Sequence, residues 1–476
     1  VEKYFFDIPP TGQTVDISIF IEGGIDMDQI KSAFGKDRNY IWHAMNRFSP
    51  DSKPLIIERA DSVFVEDIEG VRYLDAMSGL WCVNSGYGRT EFANAAAEQL
   101  SKMAYFPMSQ SHMPAIKLAE KLNDWLEGEY IIFFSNSGSE ANETAFKIAR
   151  QYHEQNGQSD RFKVISRYRS YHGNTMGALS ATGQAQRKYK YEPLAAGFVH
   201  TVPPDCYHCP VNNNPENCNI ECAGLLEKTI NWEMNETVAA VIMEPYITGG
   251  GVLIQQDGYL KKVEKACKKS GALLIMDEVI CGFGRTGKKF GFMHEGISPD
   301  IITMAKGITS GYLPLAATAV RKDIFDTFKG SEEYDHFRHV NTFGGNPAAC
   351  ALALRNLEVM EDERLIERSK SMGVQLMDLM KEMLSHSNVG DIRQKGLLMG
   401  IELVEDKITR VPLNTGKVNQ IIESCKSFGV LIGKNGDTVA GFNNVLTIAP
   451  PLTISTSQLQ ILTGVVKKSI NEACKG

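Results

Sequence analysis

YIIFFSNSGSEANETAFKIAR, residues 130–150, is the stretch whose reading decides the fold. Its first five residues form an apolar, aromatic run too short for a helix and closed by Ser and Asn, the pattern of a buried strand. SNSGSEAN follows directly, and a helical pattern begins near Ser139. The same strand-to-helix rhythm recurs downstream, with strands expected at 163–166, 239–243, 272–276, 301–304 and 316–320 and helical stretches between several of them. Such alternation specifies an α/β fold, a mostly parallel sheet covered by helices on both faces.

The flanks read differently. Residues 54–76 alternate β-branched residues around a Glu69-Gly70 turn, giving a strand–turn–strand unit. A Gly/Ser-rich loop over 77–89 carries Leu80 and Trp81, and amphipathic helices are expected at 91–103 and 114–126. After Asn346 a long helix, 347–360, opens a new rhythm. Helices such as 365–384 alternate there with short strands at 400–404, 429–432 and 445–449. The expected organisation is a large domain over 81–345 and a smaller α+β domain over 346–476, to which the N-terminal segment 1–80 contributes. Within that segment 15–21 reads as an edge strand and 26–34 as a short helix. YIWHAM (40–45) is an aromatic cluster, either simply packed or lying as a lid over a pocket.

At 476 residues the chain is too long for one simple core. It has 43% apolar and 22% charged residues, and 50 basic against 57 acidic side chains leave a net charge of -7, which weighs against a nucleic-acid partner. No apolar run approaches the roughly 20 residues needed to span a bilayer. The first residues, VEKYFFDIPP, lack the basic region and apolar core of a signal peptide and do not begin with Met. Ten scattered cysteines, several in apolar company (Cys82, Cys281, Cys350), fit reduced thiols. Together these features set the expectation of a soluble cytoplasmic protein.

The chemistry-bearing residues sit at strand ends. In ITMAKGITSGYLPL (302–315), Lys306 closes an apolar strand. Burial disfavours the charged form of a lysine, lowers its pKa and makes its amine a nucleophile towards carbonyls. In ALLIMDEVICGFGRTG (272–287), another buried strand delivers Asp277. An amine able to form a Schiff base, with an acid able to hold a protonated ring nitrogen, is the pair that pyridoxal phosphate requires. Ser137, Gly138 and Ser139 stand at a helix N-terminus, where unpaired N–H groups and the macrodipole favour an anion. Tyr171 and His172 follow the next strand, where an aromatic ring can stack on a flat cofactor, and Val279 would pack on that cofactor's other face. Glu244 ends a further strand as a brace, and Thr342 lies on a Gly-flexible loop before a helix. Taken singly these are also a Ser-rich cap, a loop aromatic, a structural acid and a turn.

Jointly they resemble one family. FSNSGSEANETAFKIAR, YHGNTMGALSATG, EPYITGGGV, MDEVICGFGRTG, MAKGITSGYLP and NTFGGNP occur in the order and spacing of the class III pyridoxal-phosphate aminotransferases. The resemblance extends over about residues 40–470. It implies fold type I, with a large domain built on a mostly parallel seven-stranded sheet plus a smaller α+β domain. It also implies a homodimer with shared active sites. Lys306 would hold the cofactor covalently, Asp277 would pair with the pyridine nitrogen and Tyr171 would stack on the ring. Ser137, Gly138 and Ser139 would hold the phosphate, joined by Thr342 of the other subunit.

Within the family, GLWCVNSGYGR and CYHCP…CNIECAGLLE look like the ω-transaminase branch that uses pyruvate as acceptor, and most like the taurine–pyruvate aminotransferases. The implied substrates are an ω-amino acid, aminosulfonate or amine, with pyruvate as keto acid. Leu80, Trp81 and Trp42 would line the pocket. Lys434 stands where many relatives carry an arginine for the substrate's acid group, and a lysine pairs there as a point charge without bidentate geometry. The rivals are other donor and acceptor pairs (4-aminobutyrate, β-alanine or ornithine-like, with 2-oxoglutarate) and a PLP-binding regulatory or silent homologue. Cys206, Cys209, Cys218 and Cys222 have the C-x2-C-x8-C-x3-C spacing of a zinc site, with His208 as a competing ligand, or they pack as small hydrophobes.

Overall fold

The computed structural model describes residues 4–8, 13–17, 27–49, 53–212, 217–435, 438–439 and 441–474. The chain begins with an antiparallel pair, β1 (Tyr4–Ile8) and β2 (Gln13–Ile17), then helix α1 (Met27–Tyr40). The strand expected at 15–21 thus starts within β2, while 18–21 lie outside the described residues. An antiparallel meander follows: β3 (Ile57–Asp61), β4 (Phe64–Asp67) and β5 (Arg72–Asp75). A kinked turn, α2 (Ser78–Trp81), leads to α3 (Thr90–Lys102) and α4 (Met113–Leu126).

The seven-stranded sheet then assembles from β6 (Tyr130–Ser135), β7 (Lys163–Arg167), β8 (Phe198–Thr201), β9 (Val238–Met243), β10 (Leu273–Asp277), β11 (Ile301–Met304) and β12 (Ala316–Arg321). Its order is β6-β12-β11-β10-β9-β7-β8, and only β12 runs against its neighbours. Every residue of β9 and β10 is buried, as strands covered on both faces must be. One cover is α5 (Gly138–Gln155), whose Ala145, Phe146, Ile148 and Ala149 pack on Ile242, Ile275, Ile301 and Val320. On the other face Leu260 and Val263 of α9 (Tyr259–Ser270) join Met276 and Ile302 in the main core. Between these come the short helices α6 (Met176–Ala181) and α7 (Ala185–Lys188) and the longer α8 (Glu221–Trp232). Strand β8 has no apolar signature because FVHT is a short, half-buried sheet edge.

After β12 and the small helix α10 (Lys322–Asp326), helices α11 (Pro347–Asp362), α12 (Leu365–Met380) and α13 (Thr415–Ser427) alternate with short strands. Strands β13 (Val389–Gln394), β14 (Met399–Leu403), β16 (Gly433–Lys434) and β17 (Val445–Ile448) form an antiparallel sheet ordered β13-β14-β17-β16, and α14 (Thr456–Ala473) closes the fold. The two-residue strand β15 (Val430–Leu431) pairs in parallel with β5, stitching the C-terminal part to the N-terminal meander. The consequence for chemistry is directional. Strands β6, β7, β9, β10 and β11 all present their carboxyl ends on one edge of the large sheet, where α/β folds place their ligands.

Candidate active site

A cavity of about 170 Å³ opens at that edge, with Gly138, Tyr171, Glu244, Asp277, Val279 and Lys306 among its lining residues. They arrive from five strand ends, Asp277 and Val279 both from that of β10. Lys306 follows β11, with its Nζ 5.4 Å from the centroid of the Trp81 ring. Its φ of 50° is left-handed, a conformation that costs a non-glycine residue about 1–3 kcal/mol and concentrates at functional sites. Gly307 beside it has no room for a side chain, since a Cβ would come within 2.6 Å of Asn84 Nδ2 and 2.9 Å of Phe283 Cβ. Burial lowers the pKa of the Lys306 ammonium, and the nearby Cys82, Asp277 and Glu244 oppose that shift.

Asp277 is buried at the end of β10. Its Oδ2 accepts from Asn142 Nδ2 and from His172 Nδ1, both at 2.9 Å, while Oδ1 accepts from the Val279 backbone at 3.1 Å. Glu244, just past β9, accepts the Tyr171 N–H on Oε1 at 3.1 Å, and on Oε2 the N–H and hydroxyl of Thr248. It therefore braces the loop that presents Tyr171. Burial raises its carboxyl pKa, and the Thr248 donors pull it back.

The turn between β6 and α5 divides its donors. Ser137 is the helix cap. Its hydroxyl accepts from Glu140 N, and its own N–H donates to the Glu140 carboxylate at 3.2 Å, so that amide is taken by the capping box. The amides of Gly138 and Ser139 belong to the first helical turn, which has no intrahelical carbonyl to pair with, and both residues line the cavity. Gly138 has to be glycine on packing grounds: a Cβ would stand 2.9 Å from Val279 Cγ2.

Leu80, 64% exposed, also lines the cavity, on a loop bent through left-handed residues at Ser78, Gly79 and Trp81. The fully buried Arg285 holds that loop, donating to Asn84 Oδ1 at 2.7 Å and Ser78 Oγ at 3.1 Å. Trp42 and Lys434, expected at the pocket, stand elsewhere in the single chain, and Thr342, expected to act from the other subunit, lies outside the cavity. Trp42 is 97% exposed. Thr342 is exposed, its carbonyl accepting from Tyr105 Oη at 2.8 Å. Lys434 directs its Nζ to Asn419 Oδ1 on α13, at 2.6 Å. Cys206, Cys209, Cys218 and Cys222 line a separate cavity of about 20 Å³, and among the described residues no three His, Cys, Asp or Glu side chains are placed to hold a metal ion.

Sequence reading passed over Asn142 and Arg187. Asn142 lies four residues beyond Gly138, one helical turn on and on the same face, so the spacing alone could have found it. Arg187, on α7, places its guanidinium 5.0 Å from the centroid of the Tyr171 ring, a tertiary contact that nothing in the local sequence announces.

The family model for aminotransferase class-III matches residues 47–470. The chain is a class III aminotransferase. An aminotransferase of Bacillus subtilis named YhxA and described as uncharacterized is 61% identical, over 91% of this chain and 95% of its own length. The taurine–pyruvate aminotransferase of Bilophila wadsworthia is 39% identical, over 90% and 95%. Among solved structures, an aminotransferase of Bacillus anthracis superposes with a TM-score of 0.91 at 58% identity, covering 94% of this chain and all 100% of that one. Aminotransferases of this class depend on pyridoxal phosphate. No described helix of this aminotransferase is long and apolar enough to cross a membrane.

Proposed function

We propose that this class III aminotransferase moves an amino group from an ω-amino acid, aminosulfonate or amine to pyruvate, with pyridoxal phosphate in the cavity beside Lys306. The observation that carries the reading is the convergence of Lys306, Asp277, Tyr171 and Val279 on one cavity beside a helix N-terminus. These residues fit the cofactor. The open amides of Gly138 and Ser139 suit its phosphate, Tyr171 and Val279 suit the two faces of its ring, and Asp277 Oδ1 suits its protonated nitrogen. When bound, the cofactor supplies an electron sink for the charge left on a substrate carbon that has lost its proton.

The protein's own contributions follow from its side chains. Lys306 Nζ, with its lowered pKa, takes and returns a proton at the substrate carbon. Asp277, whose Oδ2 is engaged by two side-chain donors, presents its Oδ1 to the ring nitrogen. Glu244 fixes Tyr171 in place. Thr342 serves the phosphate of a second copy's site. In support, Val340 and Phe343 beside it are 69% and 63% exposed, an apolar surface suited to a homodimer. The domain limits consistent with this reading are 81–345 for the cofactor domain and 346–476 with 1–80 for the smaller one.

For the acid group of the donor, Arg187 is the better placed cation. Among the described residues its guanidinium meets Gln184 Oε1, Met45 Sδ and the Tyr171 ring, none of them a carboxylate. Arg187→Gln is expected to raise KM about 10- to 100-fold for taurine and β-alanine, the loss of one charge-assisted contact. For 1-phenylethylamine, which has no acid group, the change should stay within about threefold. Equal losses on both donor types would remove Arg187 from the pocket. Alanine formation from pyruvate with a panel of amines tests the wider reading, which fails if 2-oxoglutarate alone accepts the amino group.

A further inference from the structure

Asn142 lies deeper than any residue that would touch the cofactor, at the meeting point of four elements. It is completely buried. Its Nδ2 donates to Asp277 Oδ2 at 2.9 Å and to the His172 carbonyl at 2.6 Å, and its Oδ1 accepts from Thr303 Oγ1 at 2.8 Å. These contacts join α5, the loop after β7, β10 and β11, and Thr303 stands opposite Asp277 in the β10–β11 register. The amide has one workable orientation. Turned over, it would set its oxygen against a carbonyl and a carboxylate at once, with no hydrogen on any of the three.

We propose that Asn142 is the positioning residue that sets Asp277 for the ring nitrogen of the cofactor, an inference resting on the function proposed above. A carboxylate has two equivalent oxygens and turns about its last bond. Asp277 Oδ2 is saturated by the Asn142 amide and the His172 ring, whereas Oδ1 has one backbone partner, the Val279 N–H. The oxygen left with capacity for another proton donor is thereby chosen. Because Asn142 stands one turn below Gly138, the helix that would present its amides to the phosphate also sets the acid for the ring.

The test uses the full-length protein reconstituted with pyridoxal phosphate or with its N-methyl analogue, whose ring nitrogen is permanently positive. Asn142→Ala is expected to lower kcat about 10- to 100-fold with KM nearly unchanged, the effect of one lost buried hydrogen bond to a charged group. It should also move the pH titration of the bound cofactor's absorbance in the direction that Asp277→Ala moves it. With the N-methyl analogue the gap to wild type should close to within about threefold. Thr303→Val, which keeps the shape and removes only the donor to Asn142, should shift the same titration in the same direction by less, and it decides the matter if Asn142→Ala does not fold. An unmoved titration in the folded variant, or an equal gap with both cofactor forms, would overturn the role of Asn142. A wild-type-like Asp277→Ala would instead overturn the reading on which it rests.

Discussion

Lys306→Ala is expected to abolish turnover, by at least about 10⁴-fold, because a positioned proton-transfer group alone contributes about 10²–10⁴-fold and this lysine would also hold the cofactor. The expectation rests on its placement. The amine projects into the cavity from a left-handed backbone position, next to a glycine that has no space for a side chain. Its pKa is lowered by burial, so more of the amine is neutral near pH 7 than for an exposed lysine. The sign gives a second observable. Activity limited by the neutral amine rises with pH through that lowered pKa, below the ordinary lysine value of about 10.4, and levels above it. Alanine formation should vanish together with the visible absorbance of lysine-bound cofactor. The stabilisation of the fold by added pyridoxal phosphate, read from thermal unfolding, should shrink as well. A variant that kept multiple turnovers at the wild-type rate would end the assignment of Lys306.

The large sheet was legible in the sequence because strands buried on both faces are written as short unbroken apolar runs. VAAVIM and LLIMD leave little room for another reading. Strand β8 and strand β13 were not legible, the first a four-residue edge and the second, VGDIRQ, interrupted by polar residues on a half-buried surface. At the site, residues at strand ends were found because a polar group closing an apolar run stands out, as Lys306, Asp277 and Glu244 do. What the sequence hid was the use of each donor. Ser137 looks like the first of three phosphate ligands, yet its amide is occupied by Glu140 in the capping box. Lys434 looks aligned for a substrate acid, yet strand β16 turns it to Asn419 on the flanking helix. Both outcomes depend on side-chain direction and neighbours far along the chain, which local pattern does not encode.

Asp277→Ala is expected to have the second largest effect, on the order of a thousandfold or more in kcat. A carboxylate in contact with a protonated ring nitrogen contributes several kcal/mol even at an effective dielectric of about 20, and each 1.36 kcal/mol is a factor of about ten in rate. The site concentrates that contribution in one group. Glu244 also lines the cavity, but both its oxygens are engaged by Tyr171 and Thr248, so it does not replace Asp277 without releasing the Tyr171 loop. Removing Asp277 also leaves Asn142 Nδ2 and His172 Nδ1 without their shared acceptor in a buried setting, where each unmet donor costs about 1–3 kcal/mol. Asp277→Asn tests the charge more directly, because it keeps the shape and loses the anion. It should retain more thermal stability than Asp277→Ala while remaining deeply impaired in turnover. If the charge at the ring is what matters, the N-methyl analogue of the cofactor should restore part of the activity of Asp277→Asn. A full-rate Asp277→Asn enzyme would mean that Asp277 acts through shape alone and that the anion has no part in the chemistry.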